Sequence, residues 1–153
     1  MYFHIIGDFF SPREREEYMS IIKENHLAPY VILHGRQAGQ MLDLLFELCD
    51  FGIGSLGRHR SGITNIKTLK NREYAARGIP FIYSEIDEDF ENMPYIMKIP
   101  ADESIVNITT ILSFYNQLHT TPQTIRNSIQ SLSWNNQMKK VIDAIIKAKN
   151  ETF

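Results

Sequence analysis

The residues best suited to chemistry lie in segment 65–83, NIKTLKNREYAARGIPFIY. Its pattern predicts a polar loop, a helix over about residues 66–77, a stop at Gly78-x-Pro80 and a short apolar strand. The first backbone N–H groups of a helix lack internal acceptors and lie at the positive end of the helix dipole, so this start favours an anion such as a diphosphate. Four residues supply these groups, and two of them add polar side chains: Ile66, Lys67, Thr68 and Leu69.

Glu73 is the carboxylate near the middle of that predicted helix. Taken alone, it fits a solvated residue that pairs with Arg77, four positions later on the same helix face. Lys67 likewise fits an exposed lysine. Three successive side chains before the helix fit either a solvated loop or the mouth of the same anion site: Arg58, His59 and Arg60.

Strands and helices that alternate along the chain must position these residues. The pattern predicts strands over residues 2–6, 30–33, 51–54, 81–83 and 95–98. It predicts helices from a Ser11-Pro12 cap to Asn25, and over residues 39–48, 66–77, 103–118, 122–132 and 134–148. Such alternation is typical of βαβ units with a parallel sheet and helices on both faces. We therefore expect one α/β domain over residues 1–153, a Rossmann-like three-layer sandwich with a parallel sheet of about five strands and C-terminal helices.

Ligands of such sheets bind beyond the carboxyl ends of the strands. The residues that follow the predicted strands are therefore the next candidates for a site: Gly7-Asp8, Gly35-Arg36, Ser55-Leu56 and Ser84-Glu85.

Composition and motifs exclude several classes of function. A net charge of −2 does not indicate the positive charge that binds nucleic acid. The sequence also has no apolar run of the roughly 18 residues that span a bilayer. The single cysteine, Cys49, cannot form an intrachain disulfide and fits a buried apolar residue. Residues 52–57 match G-x-G-x-x-G but do not open a helix, as a dinucleotide site requires. No H-x-x-x-H pair lies on a predicted helix, so we expect no metal.

The segments together resemble, in order and spacing, the carboxyl-terminal domain of a GT-B, family 4-like (group 1) glycosyltransferase. Residues 3–8, FHIIGD, resemble its strand-Gly-x-Gly segment, and residues 31–35, VILHG, its next strand. Residues 48–53, LCDFGI, resemble its x-A-D strand start, and Ser133-Trp134 the pair before its last helix. Residues 73–82, EYAARGIPFI, resemble its E-A-M-A-x-G-x-P-V-I core.

This resemblance implies a site that binds a UDP- or GDP-sugar without a cofactor or metal. Glu73 corresponds to the second of two family glutamates and would accept hydrogen bonds from the ribose hydroxyls. Asn65 stands where the family has the first glutamate, near the donor sugar, so the candidate catalytic residues are Asn65 and Glu73. Arg36 lies where the family packs the nucleobase. The implied donor-binding set is Gly7, Gly35, Arg36, Ile66, Lys67, Thr68, Leu69 and Glu73.

The resemblance also implies a fragment. The family's domain begins one strand earlier and follows an amino-terminal domain that carries the acceptor site, so we expect that domain as the partner. The parent would transfer a sugar to a glycan or lipid-linked acceptor in polysaccharide biosynthesis, and the fragment alone would bind nucleotide weakly without turnover. Surface left exposed by the missing part favours a dimer. We expect a cytoplasmic protein, with peripheral attachment to the inner membrane face as the alternative for the full-length enzyme.

A second interpretation is a non-catalytic α/β interaction module derived from such a domain. Asn65, an uncharged amide in place of the glutamate, favours it.

Overall fold

The structure, a computed structural model, describes residues 1–150. The chain forms two compact units, Met1–Leu48 and Cys49–Phe153, the second described as far as Asn150. Each unit combines helices with a parallel sheet, which confirms the α/β class. Within residues 1–150 no helix is both long and apolar enough to cross a membrane.

The first unit contains two parallel strands and two helices. The elements are β1 (Phe3–Ile5), α1 (Pro12–Glu24), β2 (Val31–Leu33) and α2 (Gly39–Glu47). β1 and β2 pair with Phe3 opposite Val31. Helix α1 begins where the sequence predicts, because Ser11 Oγ accepts from the Glu14 N–H at 3.1 Å and Pro12 occupies the first turn.

The second unit contains a three-stranded parallel sheet with β4 at its centre. Its strands are β3 (Gly52–Ile53), β4 (Phe81–Tyr83) and β5 (Ile96–Lys98). Its helices are α3 (Leu69–Arg77), α4 (Ile108–Asn116), α5 (Pro122–Ser128) and α6 (Trp134–Asn150), and 3₁₀ turns form at Arg58–Ser61 and Gln130–Leu132.

The core of the second unit surrounds β4, whose three residues are fully buried. The Phe81 ring lies 5.4 Å from Phe90 and 5.7 Å from Tyr74, measured between centroids. Gly52 on β3 leaves room for the Tyr74 ring, because a Cβ there would lie 2.7 Å from it. The packed aromatic rings fix β4, and therefore fix the residues at its carboxyl end.

The prediction of one sheet with about five strands is wrong for residues 1–150, because the strands form one sheet of two and one of three. Helices between successive strands determine their parallel direction, but they do not determine which strands pair. The predicted helix 103–118 begins only at Ile108, after an Asn107 cap, and the predicted helix 122–132 changes to a 3₁₀ turn after Ser128. Helix α6 runs to Asn150, two residues beyond the prediction.

Candidate functional site

Helix α3 begins three residues later than the sequence predicts. Asn65 pairs in parallel with Ile86, just beyond β4, and the Ile66 N–H donates to the Ile86 carbonyl at 2.8 Å. The helix starts after Thr68, whose Oγ1 accepts from the Asn71 N–H. Asn and Thr both favour the cap position, so the sequence allows either start. Pairing with Ile86 makes residue 65 extended and leaves the cap to Thr68.

The later start changes which backbone N–H groups at the start of α3 lack an acceptor. The Ile66 N–H is already bonded, and the first turn of α3 consists of Leu69, Lys70 and Asn71. With the Asn71 N–H capped by Thr68, the N–H groups of Leu69 and Lys70 have no acceptor within the helix. The predicted anion site therefore keeps Thr68 and Leu69, loses Ile66 and acquires Lys70, which sequence reasoning overlooked.

Lys70 carries the charge at this helix start. Its pKa is lowered, first because the surrounding protein removes water from the ammonium and second because of the positive charge of Arg58. The residue as a whole remains exposed. Both effects disfavour the ammonium, and an anion at this helix start would favour it. Lys67 is instead 3.7 Å from Glu88 and 3.9 Å from Asp89.

The two faces of α3 have different environments. Asn71 and Ala75 are fully buried, whereas Leu69 and Glu73 are exposed. Lys70 and Glu73, three residues apart, are neighbours on the exposed side. The Glu73 side chain is 47% exposed, and its Oε1 accepts from Arg77 Nε at 2.6 Å. This pair is the one that the sequence alone predicts for Glu73.

The buried side of α3 is fixed by an ionic network. Asp87, fully buried beyond β4, accepts from Arg72 at 3.0 and 3.2 Å and from Asn71 Nδ2 at 3.1 Å. Arg72 also pairs with Asp89. These bonds hold the first turns of α3 against the segment that follows β4.

Glu85 follows β4 at the same edge of the sheet and is 1% exposed. Its Oε1 accepts from the Arg58 N–H at 2.6 Å, but its buried Oε2 has no hydrogen-bond partner among the described residues. The buried Nδ1 of His59 also lacks one, while its Nε2 lies 3.0 Å from Glu103. The sequence pattern predicts that Ser84-Glu85 follows a strand, but it does not predict that the Glu85 carboxylate is buried.

The three predicted site residues of the first unit lie together at the carboxyl ends of β1 and β2. The Gly7 N–H donates to the Gly35 carbonyl at 2.8 Å, and Gly35 adopts a φ of +65° that favours glycine. Arg36 is 83% exposed in its side chain and lies 3.2 Å from Asp8. The remaining predicted residues, including Asn65 and Glu73, belong to the second unit.

Within the described chain, no group of three or more His, Cys, Asp or Glu side chains is arranged to hold a metal ion. None of the family models, curated proteins or solved structures compared with this chain matches it. The glycosyltransferase resemblance therefore rests on the residues of the chain itself.

Proposed function

We propose that this chain is the donor-binding domain of a glycosyltransferase that transfers a sugar from a UDP- or GDP-sugar to a glycan or lipid-linked acceptor. In this proposal the fold is Rossmann-like, and a partner domain supplies the acceptor site.

One observation carries the proposal: the exposed first turn of α3 presents Lys70, and the carboxylate of Glu73 follows three residues later on the same exposed side. Lys70 and the N–H groups of Leu69 and Lys70 suit a diphosphate. Glu73 lies about 4.5 Å further along the helix axis, three residues at 1.5 Å each. A carboxylate at that position suits the ribose hydroxyls next to the diphosphate.

The chemistry assigned to this site is electrostatic. As the bond between the sugar and the diphosphate breaks, negative charge accumulates on the leaving oxygen, and donors already in place stabilise it without reorganisation. Lys70 and the helix start supply those donors. Glu73 orients the nucleotide, and its pair with Arg77 fixes its side chain before the ligand arrives. Asn65, held extended by Ile86, supplies an uncharged amide near the same edge.

The test is a titration of the ¹⁵N-labelled chain with UDP, GDP, UDP-glucose and GDP-mannose to millimolar concentration. We expect the Leu69 and Lys70 amide signals to shift. Replacing Lys70→Gln should weaken binding about ten- to a hundredfold, because a charge-assisted hydrogen bond contributes about 1.5–3 kcal/mol. Lys139→Gln, at an exposed lysine of α6, is the matched control and should bind like the unmodified chain.

Two results would contradict the proposal. The first is the absence of any shift at the start of α3 with all four ligands. The second is an equal loss of affinity in the Lys70 and Lys139 variants, which would indicate general charge attraction.

A further inference from the structure

The buried Oε2 of Glu85 has no hydrogen-bond partner among the described residues, and the proposed diphosphate site does not account for it. A buried acceptor without a donor destabilises the folded protein, and native structures contain few of them. The Arg58 N–H donates to Oε1 at 2.6 Å and so fixes the carboxyl group. The other oxygen, Oε2, is buried and has no hydrogen-bond partner among the described residues, and Glu85 as a whole is 1% exposed. A carboxyl group fixed through one oxygen is preorganised to receive a donor at the other.

The position of Glu85 connects it with the proposed donor site. The chain beyond β4 pairs through Ile86 with Asn65, and residues 64–66 lead directly into the cap of α3. Glu85 therefore lies at the carboxyl edge of the sheet that also positions Lys70.

The chemistry of the site indicates which kind of group would donate a hydrogen bond to Glu85. A phosphate oxygen is an acceptor and would be repelled by a carboxylate, so the diphosphate is excluded as its partner. A metal ion needs several ligands, and the described residues hold no such group. A sugar hydroxyl is a neutral donor that can also hydrogen-bond a second group, and the unpaired Nδ1 of His59 belongs to the residue next to Arg58.

We propose that Oε2 of Glu85 accepts a hydrogen bond from a sugar-ring hydroxyl of the bound nucleotide sugar while the Arg58 N–H keeps Oε1, and that His59 and Arg60 move to admit the sugar. The inference rests on the function proposed above. The turn contacts Glu85 through the Arg58 N–H and is held on its other side by pairs of His59 and Arg60 with Glu103. The Glu103 side chain is exposed, and exposed ion pairs are weak, so they permit His59 and Arg60 to move.

The central experiment measures dissociation constants of the full chain for UDP, UDP-glucose, GDP and GDP-mannose before and after Glu85→Gln. The amide keeps the shape of the side chain but places a donor where one oxygen was an acceptor. We expect affinity for a nucleotide sugar to fall about tenfold. A loss with UDP-glucose but not UDP assigns the hydroxyl to the hexose, and an equal loss with both assigns it to the ribose. Either result supports the role of Glu85.

The matched control is Glu103→Gln, which removes an exposed carboxylate from the same turn. It should bind at least as tightly as the unmodified chain, and a loss equal to that of Glu85→Gln would overturn the inference. Unchanged affinity in Glu85→Gln would overturn it while leaving the proposed function intact. Failure of the unmodified chain to bind any of the four ligands would overturn both.

A measurement on the unmodified chain keeps the inference testable if Glu85→Gln does not fold. The Arg58 amide donates directly to Glu85, so its ¹⁵N–¹H signal should shift as a nucleotide sugar saturates the site. An unchanged Arg58 signal at saturation, with shifts at Leu69 and Lys70, would overturn the role of Glu85 while supporting the diphosphate site.

Discussion

Replacing Gly78→Ala should destabilise the second unit by about 2–5 kcal/mol. Gly78 ends α3 with φ +78°, and its N–H donates to the carbonyls of Tyr74 and Ala75. An alanine in this left-handed conformation costs about 1–2 kcal/mol. Its Cβ would lie 2.6 Å from the Pro122 carbonyl oxygen and 2.9 Å from Pro122 Cα. Because these are backbone atoms of α5, the contact cannot be relieved by a side-chain rotation, and overpacking of this kind costs about 1–3 kcal/mol more.

Gly62→Ala separates these two contributions. Gly62 has φ +69°, close to that of Gly78, but a Cβ there meets nothing within 4 Å. Gly62→Ala should therefore lower the free energy of unfolding only by the cost of the left-handed conformation, about 1–2 kcal/mol. The measurement is urea denaturation followed by far-ultraviolet circular dichroism, with linear extrapolation to water.

Equal losses in the two variants would refute the close approach of Gly78 to Pro122. A loss below about 1 kcal/mol in both would refute the left-handed conformations themselves.

Two further predictions concern ion pairs of the second unit. Asp87→Asn should lower the free energy of unfolding by about 3 kcal/mol. This is the lower end of the range for a broken buried ion pair, because Asp89 still contacts Arg72. Urea denaturation measures the loss, and an unchanged unfolding midpoint would contradict a buried pair. The hydrogen bond from Arg60 lowers the pKa of Glu103 to about 2 from 4.5. The folded-state pKa is the lower one, so the small contribution of this exposed pair to stability is complete above pH 4.5 and is lost as the pH falls towards 2. Carboxyl ¹³C titration should show that midpoint, and Arg60→Gln should return it towards 4.5; an unshifted midpoint in the unmodified chain would contradict the pair.

Features that depend on neighbouring residues could be predicted from the sequence. The start of α1 follows from Ser11, Pro12 and Glu14, which lie within one turn. The stop of α3 at Gly78 and the strand after it follow from a similarly local pattern.

Features that depend on distant residues could not be predicted in the same way. Which strands pair depends on contacts across the chain, and the sequence pattern gave one sheet where the described residues form two. The buried Glu85 accepts an N–H donated by Arg58, 27 positions earlier, a contact that no local pattern encodes. The start of α3 depends on the pairing of Asn65 with Ile86, which no local preference encodes.

The start of α3 at Leu69 also determines which charged side chains lie near the candidate site. Three successive acidic residues beyond β4, Asp87, Glu88 and Asp89, would repel a diphosphate if they were uncompensated. Arg72 pairs with Asp87 and Asp89, and Lys67 lies within 3.7 Å of Glu88. A helix starting at residue 66 would have placed Lys67 in its first turn and left Lys70 further from the end. With the start at Leu69, Lys67 offsets the acidic run while Lys70 remains at the helix start. The shift of three residues therefore separates the lysine that neutralises the protein's own acids, Lys67, from the lysine at the helix start, Lys70.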